Sequence, residues 1–78
     1  MKLPGFDRIT VDPAVMGGKP CIRGMRVTVG TVLGLVASGV TSKEIADLYP
    51  YLEEEDVRAA LLFAAWRAKE YEIPLEAA

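Results

Sequence analysis

With 78 residues, 51% of them apolar, the chain is long enough for one domain (1–78) and no more. Cys21 is its single cysteine and it has no histidine, which excludes an intrachain disulfide and an ordinary zinc-ligand set, and no run of roughly 18–20 apolar residues is present to span a bilayer. The net charge of −2 hides an asymmetry, with residues 1–40 at +3 and residues 41–78 at −5: a basic front suited to phosphate or an acidic protein surface, with ordinary solvated charge as the alternative.

In chain order, residues 1–7 read as a loose lead-in, and MKLPGFDR has no apolar core of the signal-peptide kind. The expectation is therefore a cytoplasmic protein. Arg8 to Asp12, RITVD, alternates in the strand manner and stops at Asp12-Pro13, because proline cannot extend a ladder. A single turn over Ala14 to Met16 leads into Gly17-Gly18, which permits a reversal with positive φ. A second extended piece is expected at Pro20 to Arg23, broken by Gly24, and a third at Met25 to Val29. Residues 8–28 are thus short strands around glycine turns.

Residues 29–73 read as three helices. Thr28 is placed to cap the first, Val29 to Ser38, with Val29, Val32, Leu33 and Val36 on one face. Gly30 and Gly34 weaken it while allowing close backbone approach, and Gly39 stands where a left-handed C-terminal residue is expected. Thr41-Ser42-Lys43-Glu44 has the form of a capping box for a second helix, Ser42 to Tyr49, with Ile45, Ala46, Leu48 and Tyr49 inward and Pro50 as its stop. The third runs from Glu54 to about Glu72, acidic at its start, basic at Arg67 and Lys69, and stopped by Pro74. Val57, Leu61, Ala64, Ala68 and Tyr71 form one stripe; Ala60, Leu62, Phe63, Ala65 and Trp66 fill most of the remaining circumference. A helix apolar all round needs cover on more than one side. This predicts a homodimer with Leu62, Phe63 and Trp66 at the interface; a helix simply central in a monomer is the alternative.

Two short helices joined by Gly39-Val40-Thr41 and followed by a third resemble a helix-turn-helix unit. The second helix offers a groove only Ser42, Lys43, Glu44 and Asp47, and the third opens with four acids that phosphates repel. The cations gather instead in Gly17–Arg26, GGKPCIRGMR, where Lys19, Arg23 and Arg26 are candidates for contact with a partner or nucleic acid, with Lys43 beside them. The alternative is that the glycines and Pro20 only make turns and the arginines pair with local acids. The segment is no phosphate loop, since Lys19 is followed by Pro20 and not by Ser or Thr. Cys21 reads as a packed apolar residue, and no nucleophile, base and oxyanion set is visible. No catalytic, cofactor or metal site is expected.

Ile9-Thr10-Val11-Asp12-Pro13, then Gly18-Lys19-Pro20-x-Ile22-x-Gly24-x-Arg26-Val27-x-Val29, Gly39, Glu44-Ile45, Tyr49-Pro50-x-Leu52 and Asp56-Val57-x-Ala59-Ala60-Leu61 together resemble the bacterial and archaeal domain-of-unknown-function family numbered 433, over residues 8 to 66. The resemblance implies a mainly α fold with a small N-terminal β-hairpin, a homeodomain-like three-helix unit and a dimer. It also implies the antitoxin of a type II toxin–antitoxin pair, binding and neutralising a PIN-like ribonuclease toxin. A helix-turn-helix DNA-binding autoregulator on operator DNA is the rival. Two departures stand out: Thr28 where proline is common, and Glu53 where a hydroxyl or Asp cap is common, which predicts a weaker start to the third helix.

Overall fold

The computed structural model describes residues 2, 3 and 5–70. Strands β1 (Lys2–Leu3), β2 (Phe6–Thr10) and β3 (Cys21–Ile22) form an antiparallel sheet in the order β1-β2-β3, and helices α1 (Val29–Ala37), α2 (Ser42–Leu48) and α3 (Glu54–Glu70) follow. The molecule is mainly helical with a small N-terminal hairpin, as the sequence implies. The β2–β3 hairpin pairs Ile9 with Ile22 and Thr10 with Cys21. The lead-in is not loose: β1 pairs with β2, and the second strand begins at Phe6. The reason lies in Phe6, whose ring packs edge-on against Phe63 at 5.5 Å and also meets Trp66 at 5.5 Å. No local pattern announces such a long-range aromatic contact.

The turn after Asp12-Pro13 becomes a 3₁₀ turn at Met16–Gly18, two residues later than expected. The piece around Met25 is not a strand. Only Thr28 makes a bridge, to Cys21, before α1 begins.

Local chemistry explains each helix end. The Thr28 hydroxyl accepts from the Thr31 amide at 3.1 Å, so it caps α1 as effectively as a proline would start it. At the far end the Gly39 amide donates to the Val36 carbonyl at 3.0 Å and the Val40 amide to the Leu35 carbonyl at 3.1 Å. That Schellman pattern requires the left-handed φ of 89° that Gly39 supplies. The capping box of α2 is complete: the Thr41 hydroxyl accepts from the Glu44 amide and the Glu44 carboxylate accepts from the Thr41 amide, both at 3.1 Å. Gly30 and Gly34 do not serve close approach, because a side chain at Gly34 would meet nothing within 4 Å and one at Gly30 only the Thr28 hydroxyl at 3.9 Å.

Ile9, Ile22, Val32, Ile45 and Val57 are fully buried and form the centre of the core, with α3 packed against β2, α1 and α2. Leu48 is 64% exposed, not inward as the α2 pattern suggests. The buried stripe of α3 is Asp56, Val57, Ala60 and Phe63, so the helix is rotated relative to the stripe expected from Leu61 and Ala68, which are exposed. Phe63 is therefore a core residue and not part of an interface. Tyr71, Glu72 and the Pro74 stop lie outside the described residues. Among the described residues, no helix is long and apolar enough to cross a membrane.

Candidate interaction site

The segment Gly17–Arg26 wraps the outer edge of the hairpin. Gly17 and Gly18 take φ of 67° and 83°, which lets the chain turn back toward β3. At the other end Ile22 and Met25 close a tight turn, with the Met25 amide donating to the Ile22 carbonyl at 2.8 Å. Its two central residues, Arg23 and Gly24, both have positive φ, 45° and 72°. Glycine takes this region freely; for arginine it costs about 1–2 kcal/mol.

Long-range bonds hold Arg23 there. Its amide donates to the Arg8 carbonyl at 2.9 Å, and the Gly24 amide donates to the Thr10 hydroxyl at 2.8 Å. Its guanidinium forks onto Asp56, Nε to Oδ1 at 3.0 Å and Nη2 to Oδ2 at 2.8 Å, and Nη2 also donates to the Tyr51 carbonyl at 2.8 Å. Arg8 completes the cluster, its Nη1 donating to Asp56 Oδ1 at 2.8 Å and Glu53 Oε1 at 2.6 Å. The fourth bond to Asp56 comes from the Glu53 amide, to Oδ2 at 2.9 Å.

Asp56 is wholly buried, and its carboxylate accepts four hydrogen bonds, its full complement. Burial pushes this carboxyl up, but the bonds from Arg23, the Glu53 amide and Arg8 outweigh it and hold the group below its ordinary value. Arg8 is raised first by its bond to Glu53 and then by its bond to Asp56, and Arg23 by its bond to Asp56. The cluster also settles how α3 starts. Glu53 provides no Asp-like cap; Asp56, in the third position of the helix, reaches back to the Glu53 amide instead. The start is anchored rather than weakened.

Of the four candidate contact residues, then, Arg23 is already committed inside the molecule. The acid it pairs with is not local but 33 positions away. Lys19, Arg26 and Lys43 are exposed and pair with none of the described carboxylates. They do not converge on one cavity. Lys19 lies beside a groove between α1 and α3, Arg26 beside a shallow depression with Met25, Val27 and Tyr51, and Lys43 in the first turn of α2. Cys21 is 2% exposed and its thiol donates to the Lys19 carbonyl at 3.3 Å, the contacts of a packing residue. Among the described residues no cluster of three or more carboxylates and thiols could hold a metal.

The predicted interface residues divide similarly. Leu62 is 52% exposed and Trp66 42%, four residues apart on one face of α3, whereas Phe63 is buried. Sequence reasoning missed Arg8, Asp56 and Arg67. The sequence held only a partial signal for Asp56: it shares helical spacing with Ala60 and Phe63, one of two faces between which periodicity does not choose.

Sheet order, a three-helix unit and a buried carboxylate tying hairpin to helix define a class of small α-rich domain with an N-terminal antiparallel hairpin. The chain belongs to the DUF433 family, described as proteins of unknown function, whose model matches residues 9–64. It is 36% identical over 56 residues to the uncharacterized protein y4eO of Sinorhizobium fredii (strain NBRC 101917 / NGR234), a match over 72% of this chain and 25% of that protein. It also resembles the crystal structure, at 2.00 Å resolution, of a DUF433 member from Anabaena variabilis ATCC 29413, with TM-score 0.73 and 32% identity over 81% of this chain and 62% of that one. The chain thus spans about a quarter of the curated relative and less than two thirds of the solved one.

Proposed function

We propose that this chain is a cytoplasmic protein-binding module that works as a homodimer, in the manner of a type II antitoxin that neutralises a PIN-like ribonuclease. The observation that carries the reading is the exposed pair Leu62 and Trp66, four residues apart on one face of a 17-residue helix otherwise anchored in the core. Exposed aromatic and aliphatic groups on a rigid element are what protein interfaces use. The partner class comes from the family resemblance.

Such a ribonuclease gathers carboxylates around its metals, and the exposed Lys19 and Arg26, which pair with none of the described carboxylates, suit that charge. Arg23 contributes by holding the loop that displays them, not by contact. The test is co-expression with the adjacent reading frame. The toxin-like product should co-purify and growth should be rescued, and Lys19→Glu with Arg26→Glu should abolish rescue without lowering the melting temperature. Rescue by that double variant overturns the charge mechanism; absence of a co-purifying toxin overturns the antitoxin reading.

A second reading, an autoregulator binding operator DNA, is favoured by one observation: Lys43 stands exposed in the helix that follows the Gly39 turn. Glu44 and Asp47 on the same helix, and exposed Glu53, Glu54 and Glu55 at the start of α3, oppose it. Phosphate contacts make binding fall steeply with salt, so a flat salt response or an unshifted upstream fragment rules it out.

A further inference from the structure

The largest concavity is a groove of about 630 Å³ where the N-terminal end of α1 passes the C-terminal half of α3. Val29 and Leu33 stand one turn apart on α1, and Phe63 and Arg67 one turn apart on α3, so each helix contributes about 6 Å of wall. Buried Val29 and Phe63, with half-buried Leu33, make the floor apolar. Among the described residues, the only charged groups lining the groove are Lys19 and Arg67. Both are exposed, and neither pairs with a described carboxylate. Two cations and no acid, on a chain of net charge −2, give this cleft a preference for an acidic occupant.

Gly30, which also lines the groove, adds a steric observation. A Cβ there meets nothing among the described residues closer than the Thr28 hydroxyl at 3.9 Å, so no neighbour in this chain calls for glycine. Glycine is a poor helix former, and it is of use where another backbone comes close. Gly30 and Ala64 put one small residue on each wall, which lets a third helix settle between α1 and α3. An amphipathic helix lays apolar side chains spaced three and four apart into such a groove. Carboxylates flanking that stripe meet the long Lys19 and Arg67 side chains at the margins, so one element satisfies both the floor and the charge.

We propose that the groove between α1 and α3 takes an acidic amphipathic helix of a partner protein, its apolar stripe on Val29, Leu33 and Phe63 and its flanking carboxylates on Lys19 and Arg67. The proposal rests on the reading of this chain as a protein-binding module, but not on the partner being a toxin. The probe is a synthetic peptide with leucines at i, i+3, i+4 and i+7 and glutamates beside them, titrated into the intact isotope-labelled chain. Saturable shifts of the Gly30, Thr31 and Ala64 amides are expected. Binding should be about tenfold or more tighter than that of the same peptide with lysines in place of the glutamates. No saturable shift, equal binding of the two peptides, or shifts centred on Leu62 and Trp66 instead overturn the proposal. Gly30→Leu places a side chain in the groove and should weaken binding about tenfold or more while the melting temperature holds; unchanged binding overturns the proposal. Lys19→Glu with Arg67→Glu should reverse the preference toward the lysine peptide, which a loss of structure could not do, and an unreversed preference overturns the pairing. Shifts of the same amides on raising the protein concentration without peptide assign the groove to a second copy and also overturn it. Co-expression separates this proposal from the antitoxin reading. A partner that co-purifies equally with the native chain and with Gly30→Leu overturns the groove alone; peptide binding with no co-purifying toxin overturns the antitoxin alone.

Discussion

Asp56 shows how one buried charge can organise a domain with so small a core. Its four hydrogen bonds join β2 through Arg8, the turn after β3 through Arg23, and the first turn of α3 through the Glu53 amide. Removing a fully bonded buried carboxylate strands its donors, so Asp56→Asn is expected to cost about 2–3 kcal/mol, read as a lower urea midpoint at pH 7. The pH dependence has a definite sign. The Asp56 carboxyl is lower when folded than its unfolded value of about 3.9, so its stabilisation is complete above that value and is lost as pH falls through the folded one. Glu44 acts in the same direction, depressed by the Thr41 backbone amide and then its hydroxyl. Acid unfolding of the native chain should therefore steepen below about pH 4. Asp56→Asn should flatten that limb, leaving the slope due to Glu44. An unchanged acid limb in Asp56→Asn would show that the cluster does not couple to folding.

Among the elements, α1 and α2 show what capping does and what glycine costs. Thr41 alone satisfies the Glu44 amide, so Thr41→Ala should destabilise by about 1 kcal/mol. Gly34 is a helical residue with open space around its absent side chain. Gly34→Ala should therefore stabilise by about 0.5–1 kcal/mol, seen as a higher thermal midpoint. A loss instead would mean that another molecule approaches α1 there. On α3 the contrast between neighbours is sharper. Phe63 is buried beside Phe6, and Phe63→Ala should cost about 3–5 kcal/mol of folding stability. Leu62, one residue earlier, is half exposed, and Leu62→Asp should leave folding within about 0.5 kcal/mol, because substitutions at the surface rarely do more.

For the whole molecule, Leu62 and Trp66 test association. If the face of α3 with Leu62 and Trp66 is the homodimer interface, Leu62→Asp should convert a sedimenting dimer into a monomer that remains folded. A native chain that sediments as a monomer at high micromolar concentration would remove the dimer from the proposed function. Charge is also a property of the whole molecule. The basic front expected from composition is partly neutralised, because Arg8 and Arg23 spend their charge on Glu53 and Asp56 from the acidic back. Of the candidate contact residues, Lys19, Arg26 and Lys43 remain exposed, spread over different parts of the surface rather than forming one basic face. That dispersion favours a protein partner over a phosphate backbone.

Features governed by near neighbours were legible in the amino-acid order. The Thr28 cap, the Gly39 turn, the Thr41–Glu44 box and the starts of the three helices follow from bonding between residues a few positions apart, and each is found where the spacing puts it. The family motifs were legible for the same reason, being strings of such local requirements. The pairing of β1, the rotation of α3 and the fate of the cations were decided only in three dimensions. Val57 and Leu61 define a stripe as good as Asp56, Ala60 and Phe63 in helical spacing, and periodicity cannot choose between two apolar faces of one helix. The choice came from Phe6 reaching Phe63 and from Arg8 and Arg23 converging on Asp56 across 48 and 33 positions. Contacts over such separations leave no spacing to read, and they turned Arg23 from a candidate contact into a structural tie.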